Sequence, residues 1–363
     1  MRVLLVTGSF PPMRCGVGDY TRHLAQALAA RAGVQVGVLT SREALPSQAA
    51  ESDAFFPVVE AWRLRDLPRI LSVLRRWKPD IVHIQFPTQG YRGSRLPSLL
   101  PMLFRLAGFR VVQTWHEYHV TGRPLLWCLT QMPVSGGVIV VRPRFVEMLS
   151  PLLRRTLSNK TWRFIPNAAV LPQAQLSAAE RDRIREKFGR PGARLIAYFG
   201  FIYPAKGVDL LFRIADAQTH HLVIIGEVRE VDDYHRAVLR AATSEPWAGK
   251  VTLAGFLPAE EAASVMAAAD AVLLPFLEGG GEWNTSLQGA QAQGTFVITT
   301  STGRHGYDAD TNTYFASPGD VVEMRSALAQ HLGRRSAPDR SAGQTWSLIS
   351  EAHLELYNRV VAA

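Results

Sequence analysis

Cysteine is nearly absent from this 363-residue chain, which carries only Cys15 and Cys128. Two cysteines cannot build a disulfide framework or a cysteine-rich zinc site, so a reducing compartment and a cytoplasmic location are expected. Lysine is scarce too: of the 40 cationic side chains 35 are arginine and 5 are lysine, a bias that genome composition alone can produce. The formal net charge of +9 invites a nucleic-acid reading, yet the basic residues form no continuous run. They thicken instead between Arg63 and Arg110, as suits an anionic surface or anionic acceptor, and no nucleic-acid partner is expected. No apolar stretch reaches the roughly 18 uninterrupted residues that span a bilayer. Residues 1–8 read as an apolar strand running into a loop, without the basic leader and cleavage site of a secretion signal. Fixed-period repeats and low-complexity tracts are also missing. What is present, 47% hydrophobic and 20% charged residues, excludes disorder.

The length exceeds one ordinary core and suits two domains of roughly 150–200 residues each. Short apolar strands at residues 3–8, 34–40, 81–85, 110–116, 137–141 and 162–165 alternate with helical spacing over 20–30, 64–77 and 96–106. In the third helix Pro97 suits a first turn, whereas Pro101 does not suit an interior. Residues 166–194 change character, with proline, glycine and a charged helix-like run, and read as an interdomain connection. A second series follows, with strands at 195–199, 221–226, 251–255, 271–276 and 296–300. Its helices fall at 208–217, 232–242, 259–269, 285–293 and 320–332. A last amphipathic piece, 346–360, comes after a Gly/Ser/Pro-rich break at 333–343. Such βαβ series predict parallel sheets with right-handed crossovers. The expected fold class is α/β, with two Rossmann-like doubly wound lobes facing a cleft. Its domains are residues 1–170, 171–343 and a C-terminal helix in 344–363 that packs back across the junction.

Residues 281–300 read as glycine loop, helix start, short helix, glycine stop and buried strand, directly after the apolar run 271–276. That geometry aims backbone N–H groups at a phosphate, at the strand ends where doubly wound proteins hold nucleotides. Asn284, Thr285 or Ser286 would cap the helix, with Leu287 behind them. Glu278 and Glu282 flank three glycines beside it and are either acceptors for sugar hydroxyls or solvated loop acids. After the first strand, Gly16 and Gly18 lead into a helix and mark either a phosphate loop or a tight turn. Beyond Gly200, Lys206 precedes Gly207 and a helix. It is either a point charge meeting an anion at the strand mouth or an ordinary solvated lysine. His116 and His119 follow a buried strand, where a neutral imidazole bonds a sugar hydroxyl, moves a proton, or merely satisfies a strand-end carbonyl. No third ligand stands at a spacing that would make them a metal site. His83, inside a strand, reads as structural.

In order along nearly the whole chain, several segments together resemble the family 4 glycosyltransferases of the GT-B fold. They are Gly16-Val17-Gly18-Asp19, Pro79-Asp80-Ile81-Val82-His83, Thr114-Trp115-His116, Ile165-Pro166-Asn167, residues 200–207, Ile225-Gly226, Ala254-Gly255-Phe256, Ala268-Ala269-Asp270-Ala271 and Ala290-Gln291-Ala292-Gln293-Gly294. The resemblance implies that the second lobe binds a nucleotide-diphospho-sugar donor and the first an acceptor. It implies retaining glycosyl transfer with no bound metal and no cofactor beyond that co-substrate. Lys206 matches the diphosphate-binding lysine, Gly16 and Gly18 the glycine loop, and His116 the histidine near the reacting centre. Gly200, Gly226, Phe256, Glu278, Asn284, Thr285, Ser286 and Leu287 are expected around the donor. Asp19, His116, His119, Arg92 and Arg95 are expected around the acceptor, and His116, Glu282 and Lys206 in the chemistry. Two departures stand out. Phe201 occupies the place of an arginine, and the two-glutamate motif is missing, its places falling at Gly281 and Gly289.

The arginine-edged, acid-free stretch 91–105 fits weak contact with an anionic membrane and a lipid-linked glycan acceptor for envelope or exported polysaccharide. A helix covering a sheet gives the same pattern. A soluble natural-product acceptor, or a noncatalytic GT-B subunit that binds a sugar nucleotide or glycan, are the other readings.

Overall fold

The computed structural model describes residues 1–44, 54–117, 130–158, 160–230, 232–281, 283–336 and 346–363. They divide into two compact units, one running to Ala168 and including the C-terminal helix, the other beginning at Ala169.

Strands β1 (Arg2–Val6), β2 (Gln35–Ser41), β3 (Ala54–Val59), β4 (Ile81–Phe86), β5 (Val111–Trp115), β6 (Gly137–Val140) and β7 (Thr161–Phe164) build the first sheet. Their order is β3-β2-β1-β4-β5-β6-β7, all parallel. The central strands are covered on both faces, and so read as unbroken apolar runs; every residue of β4 is buried. The edge strand β3 escapes that pattern, because Pro57 interrupts it and most of it is only half-buried. The covering helices are α1 (Gly16–Ala29), α2 (Leu67–Trp77), α3 (Leu96–Leu106), α4 (Phe145–Met148) and α5 (Pro151–Ser158). In α1, Tyr20, Leu24 and Leu28 make a stripe of period four toward the sheet. Helix α3 continues through Pro101, whose ring is buried, and sends Leu96, Leu100 and Phe104 into the core.

The second unit repeats the design with β8 (Arg194–Phe199), β9 (His220–Ile225), β10 (Val251–Gly255), β11 (Ala271–Leu274), β12 (Val297–Thr300), β13 (Gly306–Asp308) and β14 (Thr313–Ala316). Their order is β10-β9-β8-β11-β12-β14-β13, with only β13 antiparallel. Its helices are α6 (Ala178–Phe188), α7 (Leu211–Ile214), α8 (Asp233–Thr243), α9 (Ala259–Ala268), α10 (Thr285–Gln291) and α11 (Val321–His331). The stretch 166–194 is more than a connection, since α6 lies inside it and packs on α9. Ser177 and Glu180 close a capping box at its start. Arg185 reaches Asp270 at 2.7 Å and the Ala268 carbonyl at 3.0 Å, and Arg181 the Ala267 carbonyl at 3.1 Å. These polar anchors add to buried Phe188 and half-buried Ile184, which join the core from the same helix.

The last helix, α12 (Trp346–Ala362), belongs to the first unit. Ile349, Leu356, Tyr357 and Val360 join the core beneath α1. A Cβ on Gly137 would lie 2.8 Å from Leu356 and 2.9 Å from Val360, so the bare strand start is what lets the helix approach β6. Arg31, just past the end of α1, donates to Ser350 Oγ at 3.1 Å and Ser347 Oγ at 2.9 Å. Truncation of a buried leucine typically costs about 2–5 kcal/mol. Leu356→Ala is therefore expected to lower the stability of the first unit by that amount in denaturant titrations. An unchanged midpoint would mean that α12 is not part of its core.

Candidate functional site

Between parallel strands the order reverses between β1 and β4 in the first sheet and between β8 and β11 in the second, and the crevice beyond such a reversal is where doubly wound sheets bind ligands. At β8 the chain leaves through Gly200 at φ +147°, a conformation that L side chains rarely adopt. A Cβ on the neighbouring Gly226 would stand 2.2 Å from the Gly200 carbonyl oxygen. The loops after β8 and β9 thus meet backbone to backbone. Gly207, at φ +62°, would press a Cβ to 2.2 Å from the Pro275 carbonyl, and Leu277 donates its N–H to the Ala205 carbonyl at 3.0 Å. This clamp ties the loop after β8 to the loop after β11. Between them sits half-buried Lys206, its Nζ 4.4 Å from the Phe276 ring centre and 5.5 Å from that of Tyr203. Aromatic faces attract an ammonium without neutralising it.

Phe201 pairs instead with Phe256, 46% exposed, at 5.9 Å between ring centres. An apolar platform thus stands where the resemblance places a cation. Of the three candidate caps, the structure selects Asn284, whose Oδ1 accepts from the Ser286 and Leu287 amides at 3.0 and 3.4 Å. The expectation of unpaired amides at this helix start is thereby corrected for those two, which their own cap satisfies. Thr285 opens α10, while Ser286 and Leu287 are buried. Glu278 is exposed on its loop. Glu282 and His119 lie outside the described residues.

At Gly289 a Cβ would meet Leu171 at 3.1 Å. The segment carrying Leu171 is strapped down by Gln293, which donates to the Pro172 and Gly289 carbonyls at 3.0 and 2.9 Å and accepts from the Ala174 amide at 2.9 Å. An aliphatic side chain therefore packs where the resemblance places a second glutamate.

In the first unit, α1 starts at exposed Gly16 with Cys15 as a cap that makes no side-chain bond. A Cβ on buried Gly18 would lie 3.1 Å from the Ser9 carbonyl, and one on Gly90 only 1.8 Å from that of Gly8, so these loops also interlock through glycine. Burial pushes the Asp19 carboxyl up to about 6, with nearby Arg22 pulling back. His116 directly follows β5, 7% exposed, and its Nε2 donates to Gln85 Oε1 at 2.9 Å. Tyr20 meets that ring edge-on at 4.8 Å between centres. Burial lowers the His116 pKa to about 3, helped by His353 and Arg142, so the ring is neutral at ordinary pH. His83 is wholly buried, bonded to Tyr357 at 2.6 Å and Thr114 at 2.7 Å, as a structural histidine should be. Gln85 is a site residue that motif and spacing do not mark, although a carboxamide between Ile84 and Phe86 in an apolar strand is a visible signal.

The structure thus gathers Gly18, Asp19 and His116 at one reversal, and Gly200, Gly226, Lys206 and Ser286 at the other. Arg92 is tied to Glu43 at 2.6 Å, and Arg95 stands exposed before α3. Arg304 pairs with Asp308 at 2.7 Å, beside exposed His305. Among the described residues no group of three or more His, Cys, Asp and Glu is placed to hold a metal.

Three buried histidines of the first unit, His83, His116 and His353, make its stability pH-dependent. The His83 pKa is lowered by burial, and that of His353 falls to about 4 for the same reason. Unfolded histidine takes up its proton near 6.5, so each ring stabilises the fold above that pH. Each loses about 1.4 kcal/mol per pH unit as pH drops toward its folded value. Asp19, shifted upward, opposes them with one proton between about 3.9 and 6. Denaturation midpoints are expected to fall steeply from pH 6.5 to 4, and His353→Gln to flatten the slope. A level profile in the unmodified chain would contradict neutral burial.

Residues 193–334 match the family described as glycosyl transferases group 1, and residues 15–198 match the glycosyl transferase 4-like domain. The chain is similar to the 2-deoxystreptamine glucosyltransferase of Streptomyces kanamyceticus, 24% identical over 342 residues that cover 85% of this chain and 83% of that protein. Sucrose-phosphate synthase from Thermosynechococcus elongatus shares the fold, with a TM-score of 0.76 at 17% identity over 100% of this chain and 99% of its own. Anabaena HepE, solved with UDP-glucose, aligns with a TM-score of 0.66 at 12% identity over 100% and 98%.

Proposed function

Because the chain belongs to the glycosyltransferase family that these models describe, we propose that it moves a sugar from a nucleotide-diphospho-sugar to an acceptor hydroxyl, with retention of configuration and no bound metal. Lys206 carries this reading. It is a cation held on aromatic walls at the strand reversal, between loops that glycine lets close together. There it stabilises charge developing on the departing diphosphate, the larger share of such catalysis. Phe201 and Phe256 offer an apolar face to the donor in place of a second cation. The UDP-glucose held by HepE supports a donor of this class. Exposed Gly16 keeps the start of α1 bare enough for phosphate oxygens to approach its amides, while Gly18 lets the preceding loop close on the helix. Neutral His116 receives a hydrogen bond from a sugar hydroxyl, and Asp19 from the acceptor.

For the acceptor we favour a soluble, polyhydroxylated molecule over a lipid-linked glycan. Leu96, Leu100 and Phe104 of α3 are committed to the core and Leu99, Met102 and Leu103 are half-buried, which leaves Leu106 as the exposed leucine of that helix. The relative named for 2-deoxystreptamine supports the same choice.

Lys206→Ala is expected to weaken UDP binding by about 1.5–3 kcal/mol in calorimetry, as befits a lost charge-assisted bond. Unchanged affinity in the folded variant would remove Lys206 from the site. With Leu171 packed at Gly289, UDP and 2′-deoxy-UDP should bind alike. A preference near the roughly 10⁴-fold of a dedicated hydroxyl site would show that another residue holds the ribose. Co-sedimentation with anionic liposomes at low salt is expected to fail while transfer to a soluble aminocyclitol succeeds. Sedimentation that Arg92, Arg95 and Arg105 substitutions abolish would restore the lipid-linked acceptor.

A further inference from the structure

We propose that Gln85 is the positioning residue of His116, and that the C-terminal helix α12 holds the pair in place through Tyr357 and His353. The Gln85 carboxamide stands between two imidazoles. Its Oε1 can only accept, and does so from His116 Nε2 at 2.9 Å; its Nε2 can only donate, and lies 3.3 Å from His83 Nε2. With the amide in this orientation, Oε1 takes a hydrogen bond only from a His116 that carries its proton on Nε2, so the carboxamide favours one His116 tautomer. His83 is itself held by Tyr357 Oη of α12 at 2.6 Å and by Thr114 Oγ1 at 2.7 Å.

A second arm starts from the same helix. His353 Nδ1 donates to the Ile349 carbonyl at 2.7 Å, which leaves Nε2 to accept from Tyr20 Oη at 3.3 Å. Tyr20 in turn lies edge-on against the His116 ring. Gln85, His83, Thr114 and His353 are all buried, where partners that fix each other's orientation act most strongly. The product of the network is a His116 whose Nε2 carries the proton and whose Nδ1 keeps a lone pair. That lone pair is what a sugar hydroxyl would use.

The inference rests on the proposed role of His116, and the test separates the two. In the full chain with ¹⁵N-labelled histidine, His116 is expected as the neutral Nε2–H tautomer at pH 7, and Gln85→Leu to yield a mixture of tautomers. With UDP-glucose as the probe, Gln85→Leu is expected to lower kcat roughly 10–100-fold, the usual cost of losing an orienting partner, with the donor KM nearly unchanged. Gln85→Glu should retain the Nε2–H tautomer, restore most of kcat, and raise the pH at which His116 titrates, because a carboxylate favours the charged ring. Gln85→Leu with an unchanged tautomer and kcat overturns the proposal. Should that variant not fold, an unmoved His116 titration in Gln85→Glu overturns it instead. If His116→Ala keeps normal turnover, the role assigned to His116 fails, while the tautomer measurement still decides whether Gln85 orients it.

Discussion

Close approach of backbone to backbone at the ends of parallel strands is the constraint on which both units depend. Loops that leave adjacent strands must converge for a crevice to form, and a side chain at the point of contact would keep them apart. Gly226 against Gly200, Gly207 against Pro275 and Gly90 against Gly8 each leave less than 2.5 Å for a Cβ, so the approach exists only because glycine stands there. What converges with the loops is chemistry. Lys206 is brought onto the Phe276 ring by the same Gly207 turn that docks its loop on the one after β11.

The two units use different means to fix what stands at their reversals. In the second, one lysine is placed by aromatic contact, and α10 is closed by its own asparagine cap. In the first, a buried polar chain runs from α12 through His83 and Gln85 to His116, with Tyr20 on the other side. Such a chain is costly unless every member is paired, and its histidines remain neutral because burial penalises their charge. The same burial that orients His116 makes the first unit sensitive to acid. The ordered polar pairing around His116 and a stability liability therefore arise from one arrangement.

The two departures from the family pattern share a physical character. Leu171, held by Gln293, fills the space at Gly289, and Phe201 faces Phe256 where an arginine is expected. Both changes replace a polar contact by apolar packing on the same unit. Among the described residues, the crevice beyond the β8–β11 reversal thus holds Lys206 and an aromatic pair rather than paired carboxylates.

The α/β architecture is legible in the amino-acid sequence. Burial on both faces of a parallel sheet leaves unbroken apolar runs, and the amphipathic stretches between them mark the crossover helices. Glycine, lysine and histidine at strand ends mark the candidate sites by local chemistry. The Pro57-bearing edge strand β3 stays hidden, since its edge attachment leaves no periodic trace. Only the tertiary structure decides that Asn284 takes the α10 amides, that Leu171 covers Gly289, and that Tyr357 meets His83 and His353 meets Tyr20. Each of these joins groups through space rather than along the chain, and a sequence records which residues exist without recording which ones meet.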